Sequence, residues 1–185
     1  MSGQRFKLTI AYDGRPFDGW QSQPGGNTIQ DHLQSAAREI HPDIDTIQGS
    51  GRTDSGVHAL GQVAHFDAPA QLSMDGNAWL NALNTKLPRT IRVMACESAS
   101  PDFHARFDAK AKTYRYELFT GTVLPPLRVG LAWHVRKSAD RQLLNEAVAR
   151  FEGRHDFAAF AANRGDPDSN PDDTHRTIFS ASAPR

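Results

Sequence analysis

The residues best suited to chemistry in this sequence crowd into "GSGRTDSGVHA", residues 49–59, where Asp54 stands two positions after Arg52 and between glycines. A carboxylate kept ionised by a neighbouring guanidinium, in a loop slim enough for a substrate to approach the backbone, suits attack on an electrophilic carbon. It equally suits stabilisation of an oxocarbenium ion. The same residues also suit a plain turn between strands, its aspartate bonding its own backbone. Spacing alone leaves both readings open.

Several other chemistries fit poorly. No Gly-Lys-Ser/Thr follows the glycines, and the run does not open a helix as G-x-G-x-x-G does, so phosphate cradling is a weak reading. His58 and His65 are seven apart with no thiol or second carboxylate at ligand spacing, which argues against a metal site. "RHDF" at 154–157 resembles the His-Asp pair of metal phosphohydrolases, but no further helical ligands accompany it. Ordinary glycosidases employ two carboxylates, and the loop offers one.

The loop must be held by the elements on either side. "RFKLTIAYDG" alternates Phe6, Leu8, Ile10 and Tyr12 with Lys7 and Thr9, the pattern of a half-buried strand. "NTIQDHLQSAAREI" spaces Ile29, Leu33, Ala36, Ala37 and Ile40 at helical intervals, with Thr28 as cap, Asp31 in the first turn and Pro42 beyond the end. A short strand through "DIDTIQGS" enters the glycine run and "GQVAHFDA" leaves it. "NAWLNALNTKL" then reads as a helix with Trp79, Ala82, Leu83 and Leu87 on its stripe, and "TIRVMACESA" as a strand containing Cys96. The order β-α-β-β-α-β is that of a ferredoxin-like sandwich.

From residue 110 the pattern restarts. "KAKTYRYELFTG" predicts a strand with Tyr114, Tyr116 and Leu118 on one face; the pattern alone favours a core position for Tyr114, and more so for Tyr116. "SADRQLLNEAVARFEG" predicts a helix capped by Ser138, with Leu143, Leu144, Ala147, Val148 and Phe151 as its stripe and Gly153 as its stop. "RHDFAAF", the acidic loop "GDPDSNPDD" (165–173) and a strand opening in "HRTIFSASA" follow. This second copy lacks its β-α-β remainder, and a half sandwich leaves a strand edge unpaired. The expected architecture is α+β: two ferredoxin-like (RRM-like) halves with antiparallel sheets, residues 1–103 carrying the loop 49–61 and residues 104–185 an incomplete second half.

With 38% apolar and 23% charged residues the composition is that of an ordinary globular protein rather than a disordered one. The longest apolar runs are a few residues and the N-terminus lacks an apolar signal segment, so no membrane association is expected and the expected compartment is the cytoplasm. A lone Cys96 cannot form an internal disulfide. Twenty-one basic residues balance 21 acidic ones, so any nucleic-acid face must be local. "HARFDAKAKTYRY" supplies one, with Arg106, Lys110, Lys112 and Arg115 against a single acid, Asp108.

"GRTDSGVHALGQVAHFD" resembles the catalytic motif of the tRNA pseudouridine synthase A family. "YDGRPFDGWQSQPGGNTIQDHL", "LNTKLPRTIRV", "FHARFDAKAKTYRYEL", "FEGRHDFAAF" and "HRTI" resemble further family blocks in the family's order, from residue 5 to 178. The resemblance implies an isomerase that detaches uracil from its ribose, turns it, and rejoins it through C5, with no cofactor and no metal. It implies Asp54 as nucleophile, Arg52 as its partner, and Tyr114 as the ring on which the flipped base stacks. Arg106, Lys112 and Arg115 would contact phosphates. It further implies uridines of the tRNA anticodon stem-loop (positions 38–40) as substrate and a homodimer as the working form.

Family members continue past "RTI" into a "F-x-x-x-M-V-R-N" block that supplies a second arginine near the aspartate, and this chain ends before it. The resemblance therefore implies a C-terminal truncation, and leaves open whether the 185-residue chain is stable or active without the remainder. The alternative expectation is a catalytically silent RNA-binding module that keeps the basic strand and Tyr114 but does not organise Asp54.

Overall fold

A computed structural model describes residues 3–137, 139–160 and 174–184. By its contacts the chain divides into two compact units, Met1–Tyr114 and Arg115–Arg185.

The first unit begins with β1 (Gln4–Tyr12), whose alternation holds: Phe6, Leu8, Ile10 and Tyr12 are all buried. α1 (Ile29–Ile40) starts in a capping box. The Thr28 hydroxyl accepts the Asp31 N–H while the Asp31 carboxylate accepts the Thr28 N–H, so two orphan donors of the first turn are satisfied. β2 (Gln48–Gly49) is only two residues long, and β3 (Ala59–Ala68), α2 (Gly76–Lys86) and β4 (Ile91–Ser98) complete the order expected. α2 is capped by the Asp75 side chain, which accepts from Ala78 N–H at 2.8 Å.

The strands pair antiparallel in the order β2-β3-β1-β4. Leu33, Ala36 and Ala37 of α1 and Trp79 and Leu83 of α2 join Phe6, Leu8, Ile10 and Phe66 in one core. Its aromatic centre places Phe66 edge-on to Trp79 at 5.1 Å and stacked with Phe6 at 5.6 Å. Cys96 is half-buried on β4, and burial pushes its thiol up to about 12, which makes it a packing residue and not a nucleophile.

The opposite face of the sheet carries Arg5, His65 and Asp67. Arg5 forks onto Asp67 at 2.8 and 2.7 Å and donates to the Phe103 carbonyl at 2.8 Å. Buried His65 accepts the Ala105 N–H at Nδ1, 3.2 Å away. Residues 103–105 are thereby fixed to the first unit.

In the second unit, β5 (Leu118–Phe119) pairs with β6 (Trp133–His134), α3 spans Arg141–Ala149, and β7 (Gly153–Asp156) pairs with β8 (His175–Ile178). Four expectations are corrected here. The strand read over 110–121 is reduced to Leu118–Phe119, because alternation marks a face that could be half-buried but a strand forms only where a partner completes the ladder. Tyr116 is accordingly 84% exposed, and neither it nor Tyr114 is a core residue. The β5–β6 pairing is parallel rather than antiparallel. Gly153 does not stop α3, which ends at Ala149; with φ +104 it turns the chain into β7.

α3 is capped by Asp140, whose side chain accepts from Leu143 N–H at 3.1 Å, while Ser138 and the acidic loop 165–173 lie outside the described residues. Its stripe is open, with Leu143 64% exposed, and among the described residues the second unit buries no side chain.

Candidate active site

The glycine run is bolted to the segment that links β1 to α1. Beyond β2, Ser50 N–H still pairs with the Val63 carbonyl (2.8 Å), and the Gln62 side chain donates to the Gly51 carbonyl (2.6 Å). Thr53 is then gripped twice: its carbonyl accepts Trp20 N–H (2.9 Å) and its hydroxyl bonds the Tyr12 phenol (2.8 Å). Ser55 Oγ donates to the Phe17 carbonyl (3.1 Å), and Val57 N–H closes a turn onto the Asp54 carbonyl (3.2 Å) with Gly56 at φ +79. His58 Nδ1 meets Gly14 N–H (3.3 Å) and stands 3.2 Å from the Asp13 carboxylate. Arg15 hydrogen-bonds that carboxylate and holds it at about 2.

These contacts explain the glycines differently from the opening expectation. A Cβ on Gly49 would lie 2.4 Å from the Trp20 ring, and one on Gly51 2.3 Å from Lys112 Nζ. The Trp20 ring makes Gly49 a close-packing requirement within the chain, whereas the flexible end of Lys112 can move aside from a side chain at position 51. Gly56 alone among the loop's glycines faces open space.

Asp54 is therefore an exposed carboxylate on a turn whose neighbours on both sides are pinned. Arg52 is also exposed, and its Nε donates to Gln21 Oε1 at 3.2 Å. Lys112 lies across the root of the loop, Nζ to the Ser50 carbonyl at 3.4 Å. Tyr114 is 72% exposed, and with only Thr113 between them its Cα lies within about 7 Å of that of Lys112. The structure thus places Asp54 and Arg52 on one loop with Lys112 Nζ at its root, and Tyr114 close in sequence to Lys112.

Arg106 sits in the turn over 104–108 with its guanidinium 5.9 Å above the Phe107 ring. Arg115 belongs to the second unit and pairs with Glu117 at 3.0 Å. Among the described residues no group of three His, Cys, Asp or Glu could hold a metal ion.

Sequence reasoning missed Tyr12, Gly19, Trp20, Gln21 and His58 as parts of the site. The signal available was the pair of Asp-Gly steps in "YDGRPFDGW", two turns in quick succession directly after a strand. Burial raises the Tyr12 phenol above its ordinary value, so it stays a neutral hydrogen-bonding group at Thr53.

With this geometry in view, residues 8–108 match a family model described as tRNA pseudouridine synthase. The chain belongs to the tRNA pseudouridine synthase family. Its curated relatives include tRNA pseudouridine synthase A of Akkermansia muciniphila, 53% identical over 161 residues, covering 87% of this chain and 61% of that protein. The proteins of the same name from Methylacidiphilum infernorum and Methylobacillus flagellatus are 44% and 45% identical, covering 90% and 85% of this chain and 64% and 60% of theirs. The chain thus spans under two thirds of the length of these relatives.

Proposed function

We propose that this chain carries the catalytic loop of a tRNA pseudouridine synthase, an isomerase that converts uridine to pseudouridine. In the net reaction the bond from ribose C1′ to uracil N1 breaks, the base turns, and C1′ bonds to C5. The C5 hydrogen leaves to solvent and N1 takes up a proton. Asp54 acts as the nucleophile or as the counter-ion to the developing cation, and Arg52 is the cation beside it. The observation that carries this reading is the loop itself: a carboxylate open to a large substrate, on a turn immobilised through Thr53, Ser55 and Val57.

Uridine in a folded RNA must leave its stack to meet such a carboxylate, and the exposed Tyr114 ring is suited to receive it, with about 1–3 kcal/mol from stacking. Lys112 and Arg106 contact phosphates, which position RNA without reading its sequence. The resemblance assigns Arg115 the same role within the second unit. Binding alone is a poor criterion here, since an RNA-binding module that does not organise Asp54 would share it.

On the family's ground we extend the reading to uridines 38–40 of the anticodon stem-loop, a homodimer as the working form, action in the cytoplasm, and catalysis without cofactor or metal. The names of the relatives support tRNA as substrate. The strand order β2-β3-β1-β4 supports a ferredoxin-like first half, paired in this reading with a second of the same plan. The test is to treat unmodified tRNA with the chain and map pseudouridine by its carbodiimide adduct, which halts reverse transcription. New stops confined to positions 38–40 are expected; stops elsewhere would contradict the substrate assignment.

A further inference from the structure

Arg52 is reached by a chain of side-chain amides that starts in the core. Gln30, in the first turn of α1, is buried and donates Nε2 to the Ile47 carbonyl at 2.9 Å. A carbonyl only accepts, so that end of the amide must be its NH2 group and the oxygen must point the other way. There Oε1 accepts Ser22 N–H at 2.9 Å and Gln21 Nε2 at 2.8 Å. The same logic passes on one residue. With its NH2 turned to Gln30, Gln21 presents oxygen at its other end, and that oxygen meets Arg52 Nε at 3.2 Å.

The two ends of a side-chain amide are otherwise interchangeable in shape. Here one backbone carbonyl settles both. If Gln30 were reversed, its oxygen would face the Ile47 oxygen and its NH2 would face the Ser22 N–H, leaving buried groups unpaired. Arg52, which has only donors, finds in this order an acceptor for its Nε–H. With Nε–H engaged, the orientation of the guanidinium on the loop that carries Asp54 is biased toward Gln21.

We infer that Gln30 and Gln21 form a polarity relay from the Ile47 carbonyl to Arg52, and that Gln21 is a positioning residue for the reaction proposed above. The catalytic part of this inference rests on that proposed function; the relay itself does not. Gln21→Met is the informative variant, because Gln21 is only partly buried and methionine keeps its length while removing the acceptor.

The experiment has two arms. In the first, this chain is labelled with nitrogen-15 in arginine and the Arg52 Nε–H resonance is identified by its loss in Arg52→Lys. The relay predicts that Gln21→Met moves this resonance to the shift and fast solvent exchange of free arginine, and that Gln30→Met does the same. A resonance unmoved in Gln21→Met overturns the relay, whatever the activity.

In the second arm, tritium release from tRNA labelled at uridine C5 is measured. Gln21→Met is expected to lower kcat about ten-fold, the scale of one hydrogen bond to a charged group. KM is expected to stay within about two-fold, since the loss falls on the reacting geometry and not on uniform binding. In an Arg52→Lys background Gln21→Met should cost nothing further, and full additivity overturns the positioning role. If the unaltered chain releases no tritium, the proposed function and the positioning role that rests on it fall together, while the resonance still decides the relay.

Discussion

The backbone N–H of Trp20 donates to the carbonyl of Thr53 at 2.9 Å, so the residue just before Asp54 is held by the loop that precedes α1. Gly19, one position earlier, has φ +88, and a Cβ there would stand 2.7 Å from the same carbonyl and 3.2 Å from the Asp54 carbonyl carbon. Gly19→Ala is therefore expected to cost about 1–3 kcal/mol of stability, the price of a left-handed non-glycine residue. Its loss of activity should exceed what unfolding explains, because the clash falls on the Thr53–Asp54 backbone. Gly25→Ala, where nothing lies within 4 Å, is the control, and urea unfolding beside activity compares the two.

Acid should weaken the first unit through His65. Burial lowers its folded pKa, assisted by Arg5 and His104 and opposed by Asp67, and its neutral Nδ1 is the acceptor for Ala105 N–H. A depressed folded pKa means that the unfolded chain binds the proton more readily. The contribution to stability is thus complete above about pH 6.5, the unfolded value, and is lost as pH falls through the lowered folded value. Unfolding free energies between about pH 7.5 and 5 should show this decline, and His65→Gln should flatten it. Asp13, held at about 2, loses its contribution in a lower window and does not confuse the measurement.

The two units should differ in their response to truncation. Leu33 is fully buried between α1 and the sheet, and Leu33→Ala should cost about 2–5 kcal/mol. Leu143 on α3 is largely exposed, and Leu143→Ala should stay within about 0.5 kcal/mol. Thermal unfolding of both variants checks the contrast.

The same contrast marks what could be read from the sequence. Phe6, Leu8, Ile10 and Tyr12 alternate because β1 is paired on both edges over a core, and Thr28 with Asp31 announced the start of α1 through local hydrogen bonds. Tyr114 and Tyr116 show the same alternation but meet no strand among the described residues, and a pairing partner is a non-local fact that a local pattern does not encode. Asp54 and Arg52 stood out because their types and spacing suggest chemistry. Gln21 and Gln30 did not, because an amide advertises nothing until its neighbours dictate which end faces where.

Lys112 and Tyr114 should separate in their effects on tRNA. Lys112→Met removes a cation near the loop and should reduce the salt slope of binding by about one, with weakening much the same for different RNA sequences. Tyr114→Ala should cost about 1–3 kcal/mol through lost stacking, and Tyr114→Phe, which keeps the ring, should restore it. Binding titrations at several salt concentrations, with single-turnover rates, distinguish these outcomes.

The most direct test of the account is release of tritium from tRNA labelled at uridine C5, for this chain and for Asp54→Asn. Joining C5 to the ribose must expel that hydrogen, so the signal follows bond formation itself. The account predicts release by the unaltered chain and none by the variant, with tRNA binding preserved in both. Release that persists undiminished in Asp54→Asn would contradict the assignment of Asp54, and absence of release from both would contradict the isomerase function of this chain.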